Sequence, residues 1–566
     1  MRKYIYFTLA MFMAFSQLSL AQLDRSKLPE PGQAREIKIG DYKSFTLKNG
    51  LKVFVIENTK LPRVSFTLVL DRKPVLEGEK VGYLSMVGNL MRRGTTSRTK
   101  DKIDNEVDFI GASLSASSGS VFASGLSKYT EEVIELMADI TLNPSFPEEE
   151  LEKIKTQALS SLAQQKDNAN SISGNLSTVL VFGKDHPYGE LRTEESIGKI
   201  EVADIKSYYA TYFKPNISYM AIVGDIKKKD AEKLVKKYFS NWERGEIPQI
   251  GYENPNTPEK TTVALVDRPA SVQSVVNITH SIDLKPGTED VIPARIMNNI
   301  LGGGGSARLF TNLREDKGYT YGAYSQLGSN RLVGSFSANA SVRNEVTDSA
   351  IVEFMSELRR IRETEVTDQE LNLAINSISG GFARSLEQPS TVANFALNIE
   401  RFNLPNDYYS TYLQKVQAVT KEDVQRMAQK YIQPDNAYIT VVGKASDVSE
   451  KLKKFGELKY YDIYGEEYVP AEDGGLPDGL TAAKVIADYI EAIGGKEKVN
   501  AIKDITSKSA ASVQGQNLDI VSIKKSPNLS YSSIKVGGAF EVQKSVFDGV
   551  KMAQFIQGQK APDDAK

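Results

Sequence analysis

Apolar and polar residues alternate through Ser44–Asn58, SFTLKNGLKVFVIEN, and Asn49-Gly50 between the two apolar runs predicts a β-hairpin. VSFTLVLD at 64–71 reads as a further strand. From Tyr83 to Met91 the period becomes helical and stops at Arg92-Arg93-Gly94. Lys100–Ile110 reads as a helix, and SLSASSGSVFASGLS at 113–127 as strands of small residues. A helix follows over Thr130–Thr141, with Thr130 as its expected N-cap and Glu131 and Glu132 in its first turn. A long helix over Glu148–Lys166 starts behind Pro147.

The pattern then repeats. DIKSYYATYFKPNISYMAIVGD (204–225) and DVQRMAQKYIQPDNAYITVVGK (423–444) align without gaps at an offset of 219 (423 − 204, 443 − 224). Each is a helix, a proline-marked turn and a strand ending in Val-Gly. Glu150-Leu151 and Glu370-Leu371 open comparable helices at an offset of 220. So long a period means two copies of one domain, not a solenoid. Mixed strands and helices with hairpin links make the class α+β. The expected division is a first domain at 41–247, a proline-rich linker over 245–260 and a second domain at 261–459. A linker at 460–479 then leads to a small C-terminal domain at 480–566. That domain opens with a helix over Thr481–Ile493, closed by Gly494-Gly495, and continues as strands from Ile505.

Composition narrows the chemistry. A length of 566 residues with 40% hydrophobic and 25% charged residues describes a globular chain of several domains. A net charge of −2 supplies no basic field for nucleic acid. With no cysteine, disulfides, thiolate zinc sites and cysteine nucleophiles are excluded. The two histidines, His186 in a turn-like DHPYG context and His280 near a strand end, are too far apart for an i, i+4 metal pair. Each reads as a hydrogen-bonded or exposed side chain. Neither a calcium loop nor a G-x-S-x-G elbow occurs. Arg2 and Lys3, an apolar Ile5–Leu18 and Ser19-Leu20-Ala21 make residues 1–21 a cleaved secretory signal, with 22–40 as a polar arm. Export to a bacterial periplasm without a transmembrane segment is the expectation. The tyrosine clusters at 208–212 and 408–412 read as core, and Lys227–Lys229 as a solvated helix start.

One stretch carries candidate chemistry: LGGGGSARLFTNLREDKGYTYGAY, Leu301–Tyr324. Its glycines let backbone approach closely. Leu309, Phe310 and Leu313 lie at helical spacing, followed by Arg314 and, seven residues on, Tyr321. A forked cation and a phenol donor together can grip a peptide backbone or polarise a carbonyl. The plainer alternatives are an Arg314 ion pair with Glu315 or Asp316, a half-buried Tyr321 and a glycine run that only turns the chain. It is no phosphate loop, because the G-K-[ST] lysine is missing.

With these residues in hand, residues 40–460 resemble the insulinase, pitrilysin and mitochondrial-processing-peptidase family. That family carries H-x-x-E-H on the first helix of its first copy. Anchored on Gly94-Thr95, those positions fall on Ser85, Gly88 and Asn89, and the distal glutamate ligand falls on Ser160 or Ser161. All are substituted, so the resemblance implies no metal or cofactor in this chain and no independent catalysis. The second copy keeps the family pattern, from Gly303, Gly304, Gly305 and Ser306 through Arg314 to Tyr321. By resemblance, Arg314 and Tyr321 hold a substrate carbonyl in an active site, and the glycine run with Ser306 admits substrate. The implied role is the noncatalytic subunit of a zinc endopeptidase. A sister chain with H-x-x-E-H and zinc would be its partner, and unfolded peptides its substrates. The alternatives are a non-enzymatic structural subunit, or a stand-alone peptide-binding or carrier protein. The last segment, from YIEAIGGKEKVNAIKDITSK to FDG, resembles the lipoprotein-carrier-like extensions of exported bacterial proteins and reads as an accessory domain.

Overall fold

The computed structural model describes residues 41–253, 255, 257–470, 480–513 and 516–561. The expected signal segment and arm, and residues 471–479 of the 460–479 linker, lie outside the described residues. The chain divides after Val469 into two compact units.

The first unit holds two mixed sheets. In its first half the strands are β1 (Lys43–Thr46), β2 (Lys52–Glu57), β3 (Arg63–Leu70), β4 (Ser113–Ala116), β5 (Ser120–Leu126) and β6 (Ser218–Gly224). Their spatial order is β1-β2-β6-β3-β5-β4. The second half has β7 (Thr262–Asp267), β8 (Gln273–Ile282), β9 (Thr320–Gly328), β10 (Gly334–Arg343), β11 (Tyr438–Gly443), β12 (Glu457–Tyr461) and β13 (Glu467–Tyr468), ordered β13-β12-β7-β11-β8-β10-β9. Five strands of each sheet share one topology: a parallel pair, β2 with β6 or β7 with β11, then three antiparallel pairings. Lys52 pairs with Tyr219 and Thr262 with Tyr438, so the repeat offset (438 − 219) reappears as strand register.

The longer helices of the first half are α1 (Tyr83–Met91), α2 (Lys100–Phe109), α3 (Thr130–Leu142), α4 (Glu148–Lys166), α5 (Ala169–Phe182), α6 (Val202–Tyr212) and α7 (Lys228–Phe239). Those of the second are α8 (Val291–Gly302), α9 (Thr347–Glu363), α10 (Asp368–Ser385), α11 (Pro389–Arg401), α12 (Lys421–Tyr431) and α13 (Ala445–Leu452). Strand β2 is apolar on both faces because both are covered. Val53 and Val55 point into the core of their own half, while Phe54 and Ile56 pack against Val392, Ala393, Ala396 and Leu397 of α11. The exchange is reciprocal. Ile172 and Leu176 of α5 pack on Ala264, Val266, Val275 and Val442 of the second sheet. The Asn277 amide donates to Ser177 Oγ of α5 at 2.8 Å, fixing that contact.

Three expectations change. Thr130 is the first residue of α3, not its cap, and its hydroxyl donates to the Ser127 carbonyl at 2.6 Å. Leu309, Phe310 and Leu313 do not share one α-helix. Arg308–Phe310 is a single α turn that continues as a π turn over Thr311–Asp316. Tyr460–Tyr468, expected within the linker, extends the second sheet instead. Strand β12 pairs with the open side of β7 and β13 with β12, and the Tyr460 and Tyr468 rings meet at 6.3 Å. A run of tyrosines offers enough apolar surface to close a sheet edge.

The second unit has helices α14 (Ala482–Ala492) and α15 (Gly495–Ala501), then six strands in a sequential antiparallel meander. These are β14 (Asp504–Val513), β15 (Gln516–Lys525), β16 (Leu529–Val536), β17 (Phe540–Phe547), β18 (Met552–Ile556) and β19 (Gln559–Lys560). Thr481 caps α14 by accepting from the Lys484 N–H. Within this unit Val485, Ile486, Tyr489 and Ile493 stay exposed.

Candidate functional site

Helix α1 carries the positions aligned with the zinc motif. Its first turn is held by Glu77, whose carboxylate accepts from the Gly82 and Leu84 N–H groups at 2.9 and 2.8 Å. Glu190 in turn accepts from the Glu77 and Gly78 N–H groups. Burial pushes the carboxyl pKa of both glutamates up. Ser85 donates to the Gly82 carbonyl at 2.6 Å, and the Asn89 amide to the Ser85 carbonyl at 3.2 Å. Both side chains thus fold back onto their own helix. Gly88 is buried, and a Cβ there would lie 2.2 Å from the Ala116 carbonyl and 2.3 Å from Ser117 Cα. The position aligned with the family glutamate has no room for a side chain. On α4, Ser160 donates to the Thr156 carbonyl, and Ser161 accepts from Gln165. Zinc does not fit this donor set: two hydroxyls, one amide and a glycine replace imidazoles and carboxylates. Among the described residues no cluster of three or more His, Asp or Glu can hold a metal.

Both histidines are buried. His186 Nδ1 accepts from the Tyr188 N–H at 3.1 Å, and its ring lies among Phe182, Tyr188 and Tyr252. Burial lowers its pKa. His280 accepts from the Gln433 N–H at Nε2 and donates from Nδ1 to the Ser281 carbonyl; burial pushes its pKa down to about 4.

The second half is arranged otherwise. Helix α8 ends at Gly302, where a Cβ would lie 2.3 Å from the Ser325 N of β9. Asn298 clamps the same residue, donating to the Ser325 carbonyl at 3.2 Å and accepting from its hydroxyl at 2.8 Å. Beyond this contact a groove of about 620 Å³ opens between α8 and the edge strand β9, lined by Leu284, Val291, Arg295, Asn299, Tyr324 and Leu327 among others. Gly303 and Gly304 line it, whereas Gly305 and Ser306 are exposed on the turn that follows. Gly304 and Gly305 have free space where a side chain would stand.

From this turn the chain enters Arg308, whose buried guanidinium pairs with Glu370 of α10 at 2.6 Å. Burial opposes ionisation of Glu370, but the Arg308 and Thr367 hydrogen bonds outweigh it and hold its pKa at about 2. The π turn then presents Arg314. Its Nη1 donates to the Tyr321 carbonyl at 2.7 Å, its Nε lies 3.2 Å from Glu315, and its guanidinium sits 5.0 Å from the centre of the Phe310 ring. Tyr321 is 86% exposed, and its hydroxyl has no partner among the described residues. The structure thus joins Arg314 and Tyr321 on one surface, and no hydrogen bond or ion pair ties either to Ser85, Gly88 or Asn89. Sequence reasoning missed Asn298, Arg295 and Glu370. The capping box Thr367-x-x-Glu370 was a readable signal for the last, but nothing paired it with Arg308.

Comparison with known proteins agrees with this arrangement. The family model "Insulinase (Peptidase family M16)" matches residues 79–182, and "Peptidase M16 inactive domain" matches residues 199–378. The "Uncharacterized zinc protease YmxG" of Bacillus subtilis is 23% identical over 62% of this chain and 85% of its own length. The "Non-peptidase homolog YmxG" of Helicobacter pylori is 23% identical over 53% of this chain and 69% of its own. A crystal structure of a peptidase M16 inactive domain from Pseudomonas fluorescens superposes with a TM-score of 0.65 at 23% identity, covering 71% of this chain and 98% of the other. A protease structure from Helicobacter pylori gives 0.65 at 20% identity, over 72% and 100%. These structural likenesses establish the fold, and the matched models establish the family: the chain belongs to the insulinase peptidases, family M16.

Proposed function

We propose that this protein is the noncatalytic, zinc-less subunit of an exported insulinase-family zinc endopeptidase. It binds unfolded peptides in the groove between α8 and β9 and offers Arg314 and Tyr321 to the active site of a sister subunit. The observation that carries this reading is the exposed Tyr321 hydroxyl, without a partner among the described residues, on the residue whose backbone carbonyl takes the Arg314 guanidinium. A free surface phenol and a guanidinium anchored on the same residue's backbone are two donors that one acceptor could take. Where a peptide carbonyl becomes an oxyanion, both groups donate to it, and fixed donors stabilise developing charge without reorganising. Zinc in the sister subunit would supply the activated water. This chain supplies none of that, since Ser85, Gly88 and Asn89 are not ligands and Gly88 has no space to become a base. Export is supported by the leader pattern of residues 1–21. No helix among the described residues is long and apolar enough to cross a membrane.

The second reading is a non-enzymatic structural or peptide-binding subunit. It is favoured by Arg314 already donating to the Tyr321 backbone, which makes it a local staple. Co-purification from the native host, followed by peptide-cleavage assays with and without the associated chain, separates the two. The first reading expects a partner carrying H-x-x-E-H. It also expects Arg314→Ala with Tyr321→Phe to lower the complex's kcat by about 10²–10³, far more than the small loss of melting temperature from the lost Arg314 bond accounts for. Unaltered cleavage by that variant, or no such partner, leaves the structural reading.

A further inference from the structure

The groove has a charge signature. Arg295, on the second turn of α8, is the one charged residue among those lining it. Its Nη1 donates to the buried Tyr412 hydroxyl at 3.2 Å, and it makes no ion pair among the described residues. The rest of the lining is amide, hydroxyl, glycine and aliphatic surface, with Asn298 and Asn299 one turn along from Arg295. Asp290, at the start of the same helix, is spent on Lys430 at 2.6 Å, Tyr431 at 2.7 Å and Arg426 at 3.4 Å. At the other end, two residues past Ser329 of the lining, Arg331 shares the single carboxylate of Asp71 with Arg401, at 2.5 and 3.6 Å. Two cations for one carboxylate leave that end positive as well. Burial, with the Arg331 charge added to it, pushes the Arg401 pKa down.

We infer that the groove selects peptides bearing a carboxylate, which Arg295 takes as its counter-ion. This inference rests on the peptide-binding reading of the same groove. A guanidinium with free N–H groups and no ion-pair partner among the described residues favours a planar carboxylate, which accepts two parallel hydrogen bonds from it. An ammonium or guanidinium side chain entering the groove would meet like charge at Arg295, the one charged residue of the lining. Two sources present the same chemistry: an Asp or Glu side chain, and the free C-terminal carboxylate of a peptide.

Fluorescence anisotropy on the whole mature protein tests this with decapeptides of Ser, Thr and Val that carry an uncharged fluorophore. One is neutral and C-terminally amidated, one amidated with a central Asp, one amidated with a central Lys, and one neutral with a free C-terminal acid. The Asp peptide, the free-acid peptide or both should bind about fivefold tighter than the amidated neutral peptide, and the Lys peptide more weakly. Which acid gains identifies the source. Raising the salt should shrink the preference without abolishing binding. Arg295→Gln should level the peptides while leaving the neutral one bound, Arg295→Lys should keep the order and Arg295→Glu should reverse it. Absence of binding by any peptide overturns the groove as a peptide site. Binding that ignores peptide charge and salt, or a preference that survives Arg295→Gln, overturns the charge selection alone.

Discussion

Helices α1 and α8 stand at matching points of one strand order, each in the connection that leads to the hairpin at the sheet's edge, and each presses a glycine onto that hairpin. In the first half the contact falls inside the helix, at Gly88, and Leu90, Met91 and Arg92 continue past it. The helix is thereby locked onto the turn after β4, and the space a side chain at the base position would need is filled with backbone, while Ser85 and Asn89 stay exposed. In the second half the contact falls on the last helical residue, Gly302, and three more glycines follow. The chain then leaves the sheet and the groove stays open. Shifting a single close approach along a helix separates a copy sealed at its base position from one that keeps an open groove.

The comparison breaks most visibly at Gly88. Installing Ser85→His, Gly88→Glu and Asn89→His together should cost roughly 4 kcal/mol, because the new carboxylate must displace the Ala116–Ser117 backbone or be buried against it. Urea unfolding with zinc analysis checks this. A variant that unfolds like wild type and retains stoichiometric zinc would show that the first copy is only unliganded, not sealed.

Next in size is the contrast between two buried-side glutamates. Glu370→Gln leaves Arg308 without its counter-charge and should cost about 3 kcal/mol at neutral pH. Since Glu370 is lowered in the fold from 4.5 to about 2, its contribution is complete above pH 4.5 and is lost as pH falls towards 2. Glu77 is raised, so the folded protein prefers it protonated, and its contribution declines as pH rises above 4.5. Difference curves of unfolding free energy against pH, wild type minus each Gln variant, should therefore slope in opposite directions. Parallel slopes would refute the contrast.

The smallest effects sharpen the symmetry of the exchanged helices. Leu176→Ala in α5 and Leu397→Ala in α11 each empty a contact with the other half's sheet, and each should cost about 2–3 kcal/mol. Unequal losses, measured by the same unfolding assay, would mean that one helix holds the halves together and the other merely follows.

The repeat at 219 was legible because helix, turn and strand were copied with their spacing, and it reappears in the Lys52–Tyr219 and Thr262–Tyr438 registers. That Ser85, Gly88 and Asn89 stand where the resemblance puts histidines and a glutamate is a matter of residue type and is read from the sequence directly. Geometry is not. Gly88 looks in sequence like any helical glycine, and its meaning depends on Ala116 and Ser117, nearly thirty residues away. Helix α5 went unread in the sequence, and its apolar Ile172 and Leu176 carry no sign that their partners lie beyond residue 260. Arg314 and Tyr321 were legible as a pair, whereas the donation from Arg314 to the Tyr321 carbonyl depends on a π turn that no periodicity announces.

The reciprocal packing of α5 and α11 reaches beyond stability. Without α11 the first half would show Phe54, Ile56 and Ala221 to water, and without α5 the second would show Ala264, Val266 and Val442. Neither half is a self-sufficient folding unit, although each has a complete sheet. The stretch from Gly245 to Lys260 works as a tether that raises the local concentration of one half around the other. A chain cut there would behave as two fragments that recover their shape only by complementing each other, so the pair is a dimer whose subunits happen to share a peptide bond.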